Sequence, residues 1–149
     1  MKDLIIKNVA DIASKVQERP DTTFSIKPVV MGKDVDTCAA CFVEVPPGKH
    51  SWPYHYHDQS EELFYIISGN GKLRNFYGEK DVKAGDMICF PTGEKGGHSI
   101  FNTSETEPLI YVDFEVKAVK TDIVTMPDEG AYELIGNHFD WTAVEMPKK

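Results

Sequence analysis

Hydrophobic and polar residues alternate along most of this chain with a period near two, in short runs punctuated by Gly, Pro, Asn and Asp. The runs are FSIKPVVM from Phe24, TCAACFVEV from Thr37, WPYHYH from Trp52, ELFYIIS from Glu62, KLRNFY from Lys72, MICFP from Met87, HSIFN from His98 and PLIYVDFEV from Pro108. Strand-like runs at such close intervals predict an all-β sandwich or barrel over about residues 23–117. In the last run Val112, Phe114 and Val116 share one face, and Tyr111, Asp113, Glu115 and Lys117 the other, the pattern of a half-buried strand. Turns fall at Pro46 to Gly48, Gly69 to Gly71, Gly78 with Glu79, and Ala84 to Asp86.

Two segments depart from this texture. Residues 8–18 predict a short N-terminal helix: Asn8 can cap, Asp11 sits in the first turn, Val9, Ile12, Ala13 and Val16 share a face, and Pro20 closes it. Beyond Lys120 the alternation dissolves, so residues 119–149 read as a C-terminal tail. Its Tyr132, Phe139 and Trp141 would brace the outside of the barrel or cross its open mouth. Residues 1–149 are read as a single domain, long enough to bury a proper core.

Composition narrows the function classes. Sixteen Lys and Arg against 24 Asp and Glu give a net charge of −8 with no basic cluster, which argues against nucleic acid and anionic membrane as partners. Near the start only Leu4 to Ile6 is unbroken apolar sequence, and no run is long enough to span a bilayer, so a cytoplasmic protein is expected. Three cysteines fit reduced thiols. Cys38 and Cys41 form a CxxC inside a strand, where a separation of three puts them on opposite faces as buried small residues.

The chemistry concentrates between Gly48 and Asn102. On a strand His55 and His57 project the same way, which is chelating geometry, and after the turn Asp58 to Ser60 either Glu61 or Glu62 can return a carboxylate beside them. His98 enters another strand from a glycine-rich loop. Three imidazoles and one carboxylate suit a divalent transition metal and leave positions open for a small molecule. Thiolate is absent from this set, so manganese, iron, nickel, zinc and copper all remain eligible.

Both segments resemble the two motifs of the cupins, jelly-roll barrels (double-stranded β-helices) that hold a metal inside by three His and one Glu. Gly48, His55, His57, Glu62 and Gly69 match the first motif, and its six-residue gap to Gly69 selects Glu62 over Glu61. Gly85, Pro91, Gly93, His98 and Asn102 match the second. There are two departures: six residues instead of five separate Gly48 from His55, and four instead of two separate Gly93 from His98. Each extra residue falls in a turn ahead of a ligand-bearing strand. The resemblance implies a metal centre of His55, His57, Glu62 and His98 within an apolar shell of Phe64, Ile66 and Ile100.

It also implies a small oxygenated ligand such as a sugar, keto acid or phenol. The expectation is a metal-dependent enzyme of isomerase or dioxygenase type, or else a non-catalytic binding or sensing module using the same metal. No unassigned Asp, Glu or His inside the motifs offers itself as a base, which weighs against the isomerase. Outward-facing Tyr54 and Tyr56 suggest packing between barrels, and the family likewise suggests a homodimer. His50 and His138 read as surface residues, and Asn102 as a residue that fixes the backbone at a strand end.

Overall fold

The computed structural model describes residues 2–19, 22–117, 121–136 and 141–145. Its largest sheet has the spatial order β1 (Lys15–Arg19), β2 (Thr22–Val30), β3 (Cys38–Val45), β10 (Leu109–Lys117), β5 (Ser60–Ser68), β8 (Met87–Phe90). A three-stranded sheet of β7 (Gly78–Lys83), β6 (Asn70–Asn75) and β9 (His98–Asn102) packs across its inner face. A third sheet runs β13 (Trp141–Glu145), β12 (Ala131–Ile135), β11 (Asp122–Met126), β4 (Tyr56–His57). All pairings are antiparallel, and the sheets together form the expected jelly roll.

Alternation decides what enters the core. On β5 Phe64 and Ile66 point in with Glu62, while Glu61, Tyr65 and Ile67 are exposed. Phe24, Val43, Val45, Phe64, Ile66, Leu73, Ile100, Leu109 and Tyr111 form one continuous apolar cluster between the first two sheets. Each such side chain, fully buried, contributes about 1.5–3 kcal/mol.

Three expectations change. The helix over 8–18 does not form: Val9–Asp11 make a single 3-10 turn, capped by Asn8 Oδ1 accepting from the Ala10 N–H at 2.9 Å, and Lys15–Arg19 pair with β2 instead. A helix of that length is marginal without packing, whereas the open edge of β2 supplies a ready hydrogen-bond ladder. Pro20, assigned to close the helix, lies outside the described residues.

The C-terminal tail is sheet. Its strands β11, β12 and β13 pair in sequence and β11 pairs with β4, joining Val124 to His57. Phe139 and His138 lie outside the described residues.

On β10 the polar face is the inner one: Tyr111 and Glu115 are buried, and Phe114 and Val116 are exposed. Cys41, opposite Asp113, shares that inner face, and Cys38, opposite Val116, the outer one, both half-buried. Among the described residues no helix is long and apolar enough to cross a membrane.

The turn joining β5 to β6 combines left-handed backbone with no room for a side chain. Gly69 has φ +85°, and a Cβ there would stand 2.5 Å from the Pro108 carbonyl oxygen and 2.9 Å from Leu109 Cα. Gly85 has φ +92° but open space around it. Both Gly→Ala substitutions incur about 1–2 kcal/mol from left-handed backbone. Gly69→Ala adds a backbone clash of about 1–3 kcal/mol. Urea midpoints should rank wild type above Gly85→Ala, and Gly85→Ala clearly above Gly69→Ala.

Candidate metal centre

The two histidine segments are stitched together by backbone. His55 N–H donates to His98 O at 3.1 Å and His98 N–H to His55 O at 2.9 Å, so the two residues sit side by side on facing strands. The loop before His98 is folded tightly by a 3-10 turn at Glu94–Gly96; a Cβ on Gly96 would lie 1.8 Å from Pro91 O. β4 turns at Asp58 into β5, whose inward parity delivers Glu62 and leaves Glu61 exposed.

All four predicted residues are buried in one place. Glu62 Oε2 lies 3.1 Å from His98 Nε2, 3.6 Å from His57 Nε2 and 3.9 Å from His55 Nε2. His55, Glu62 and His98 form one group with ligand atoms within 4.8 Å of one another, and His57, Glu115 and Asp122 form a second beside it.

Each imidazole is held from behind. Nδ1 of His55 meets Pro53 O at 2.8 Å, that of His98 meets Gly96 O at 2.9 Å, and that of His57 meets Asp122 Oδ2 at 2.8 Å. Carbonyls and carboxylates accept, so Nδ1 carries the proton and Nε2 is left as the lone pair aimed at Glu62. Glu62 Oε2 and His98 Nε2 are buried without a hydrogen-bond partner, and the Nε2 atoms of His55 and His57 stand beside them, a set of ligand atoms converging on one point. A divalent cation satisfies such a set; the residues fit it.

The family model for the cupin domain matches residues 41–115, half of the chain. This chain is a cupin. Its cupin barrel is 36% identical over 86 residues to an oxalate decarboxylase of Arthroderma benhamiae, covering 52% of this chain and 19% of that protein. An oxalate-binding protein of Thermotoga maritima is 35% identical over 65 residues, 44% of this chain and 51% of that one. The chain thus spans about a fifth to a half of the length of the curated relatives it matches. Among solved structures, a sugar phosphate isomerase of Silicibacter pomeroyi superposes with a TM-score of 0.77 at 19% identity over 95% of both chains, a likeness of fold.

Electrostatics separate the three rings of this cupin. Burial, reinforced by His98, drives the His55 pKa down to about 3. Burial also opposes charge on His57, yet the hydrogen bond to Asp122, with Glu62 and Glu115 nearby, outweighs it and lifts that pKa to about 9. Glu62 is held ionised against burial by the imidazoles, His98 foremost.

Several titratable residues beside the histidines lie outside both motifs. Burial and the charge of Glu62 raise Asp113 and Glu115 above the ordinary carboxylate range, Glu115 to about 7 despite the opposing pull of His57. Glu115 Oε1, buried and without a hydrogen-bond partner, stands 3.8 Å from His57 Nδ1. A space of about 40 Å³ beside the histidines opens into a cavity of about 430 Å³, the two sharing Arg19, Trp52, Asp113, Glu115 and Glu133 in their walls. Arg19 reaches across to Glu133 at 3.0 Å, linking β1 to β12.

Asp113 and Glu115 were visible as charges alternating through an apolar strand, and Asp122 as a charge in register with Val124 and Met126. Arg19 gave no signal, because its segment carries helical periodicity.

The surrounding shell is apolar, as expected: Phe64 and Ile100 are buried at the site, and the Phe90 ring stacks on His98 with centroids 3.7 Å apart. Asn102 ties the strand end, donating from Nδ2 to Val45 O and Glu107 O. Tyr54, expected at a contact between barrels, is engaged within its own chain: the Arg74 guanidinium lies 4.1 Å from its ring centre.

Asp122→Asn leaves all four candidate ligands in place but weakens the acceptor that orients His57. Metal affinity, measured by chelator competition, should fall about 10- to 100-fold. Elemental analysis of wild type should return about one equivalent of a divalent metal, with none retained by His98→Ala.

Proposed function

We propose that this cupin is a metal-dependent enzyme of isomerase type, moving a proton on a small hydroxylated carbonyl compound such as a sugar or keto acid. His55, His57, Glu62 and His98 would hold one divalent transition metal, and Glu115 would carry the proton. The observation that supports this most is the placement of Glu115: its carboxylate is buried, lines both cavities, and keeps one oxygen without a hydrogen-bond partner.

A divalent cation held by His55, His57, Glu62 and His98 would supply polarisation of a substrate carbonyl, which makes the carbon beside it more acidic. Glu115 would remove a proton from that carbon and return it to the carbonyl carbon, while the hydroxyl hydrogen of the first carbon passes to the former carbonyl oxygen, the work of a general base turned acid. Asp113, on the same face of β10, offers a second carboxyl to substrate hydroxyls. The cavity walls are rich in acceptors, and their one arginine is already paired with Glu133, which suits a ligand that donates hydrogen bonds. Trp52, Val124 and Met126 line the inner space and limit water there. The base missing from the two motifs is thus supplied by β10, which favours an isomerase over a dioxygenase. A cytoplasmic location remains part of this proposal and agrees with free thiols at Cys38, Cys41 and Cys89.

Arg19 supports a second reading, a non-catalytic module that binds a small dicarboxylate of the oxalate type, the ligand named for the Thermotoga relative. Incubation of the metal-loaded protein with sugars, sugar phosphates, keto acids and oxalate in deuterated water separates the two. Proton transfer places solvent deuterium next to the carbonyl of one substrate, read by NMR. Glu115→Gln should slow that exchange about 10²- to 10⁴-fold at unchanged metal content. Saturable binding of oxalate, with no exchange into any sugar or keto acid, would replace the enzyme with the binding module.

A further inference from the structure

The inward row of β3 changes size along its length. Val43 and Val45 are fully buried in the main apolar cluster, but the same face continues into Cys41 and Ala39, opposite Asp113 and Glu115 of β10. Side chains this small leave space beside β10 unfilled, and the cavity of about 430 Å³ opens there. A space of that volume lies within the range of small-molecule sites.

Its walls divide by chemistry. Among the described residues, every charged side chain of this cavity, Arg19, Asp113, Glu115 and Glu133, also borders the space of about 40 Å³ at the histidines. Charge is therefore gathered at the junction of the two. The rest of the wall is Gln17, Ile26, Met31, Ala39, Ala40 and Cys41, apolar apart from one amide. Ile26 and Cys41 pack against the main cluster and Met31 against Ala39 in the smaller one, so this wall is continuous with the core. Trp52, its ring centroid 4.3 Å from that of Phe24, borders both spaces.

Two such spaces suit the two ends of one molecule. The inner one has room for only a few water-sized groups, enough for a carbonyl and the hydroxyl beside it. The outer wall gains free energy by covering hydrocarbon. A sugar hydroxyl carried that far would leave water for a surface with a single amide, and burying a polar group without a partner is costly.

We propose that the substrate is an α-hydroxy carbonyl compound with a hydrocarbon tail, its polar end at the histidines and Glu115 and its tail along Ile26, Met31, Ala39 and Cys41. The polar end rests on the isomerase reading; the tail rests on the cavity wall alone. Sugars, hydroxylated along their whole length, fit this site less well than ketones that are hydroxylated at one end. Ala39 and Met31 then decide specificity, because they line the tail's path and lie away from the histidines.

Calorimetric titration of the metal-loaded protein with hydroxymethyl ketones bearing methyl, ethyl and butyl tails tests the proposal, with fructose as a polyol matching the butyl ketone in carbon number. Each methylene moved from water to an apolar wall strengthens binding about three- to fourfold. The three methylenes that separate the methyl from the butyl ketone should therefore tighten Kd by on the order of 10- to 60-fold. Binding should also carry an increasingly negative heat-capacity change, the mark of buried apolar surface. Fructose should bind more weakly than the butyl ketone.

Ala39→Leu fills the outer wall, and Met31→Gln makes it polar at nearly constant volume, which avoids overpacking. Each should lower the ratio of butyl to methyl affinity about fivefold or more, with circular dichroism and metal content as checks on folding. Affinity that stays flat along the tail series, or fructose binding more tightly than the butyl ketone, overturns the tail site even where deuterium exchange reveals an isomerase. Affinity that climbs with tail length while no deuterium enters any ketone keeps the tail site and overturns the isomerase reading. A protein that binds none of the ketones overturns the proposal outright.

Discussion

Glu62 sits buried with its Oε2 within 3.9 Å of three imidazole nitrogens, and a carboxylate in that position has to be met by positive charge or by protons. Of the imidazoles, burial keeps His55 neutral, whereas the Asp122 hydrogen bond lifts His57 against burial to about 9 and makes it the ring that meets Glu62 with charge when no cation is bound. Much of the surrounding architecture serves this one requirement. The backbone pair between His55 and His98 sets two rings side by side, the Gly96 turn brings His98 into place, and Asp122 aligns the third ring from a strand some 65 residues away. Charge, tautomer and geometry all converge on a divalent cation.

That demand explains why β10 is inverted relative to a simple hydrophobic pattern. A strand crossing the barrel beside a metal centre turns its polar residues inward, so Asp113 and Glu115 enter the cavity and Phe114 and Val116 are left outside. The same inversion therefore produces both the acid–base group of the proposed reaction and part of the apolar outer surface.

Part of the cavity wall comes from segments outside the two motifs. Arg19 comes from β1 and Glu133 from β12, and their ion pair spans the mouth between the first sheet and the third. Arg19 is about a third exposed at its side chain, so the pair contributes little to stability. Both residues line the two spaces beside the histidines.

Sequence alone determined the all-β class, the strand runs between Phe24 and Val116, and the candidate ligands His55, His57, Glu62 and His98, because period-two alternation and ligand spacing are local properties. The choice of Glu62 over Glu61 came from motif spacing, since both faces of that strand are apolar; burial on β5 agrees with it. Residues 15–19, 122–135 and 141–145 depended on tertiary structure: each carries a weak local preference that is overruled when an open sheet edge offers hydrogen bonds. The same holds for the direction in which β10 faces. Which side of an alternating strand points inward depends on what the other strands bring to meet it, and there Glu62, His57 and Asp122 bring charge.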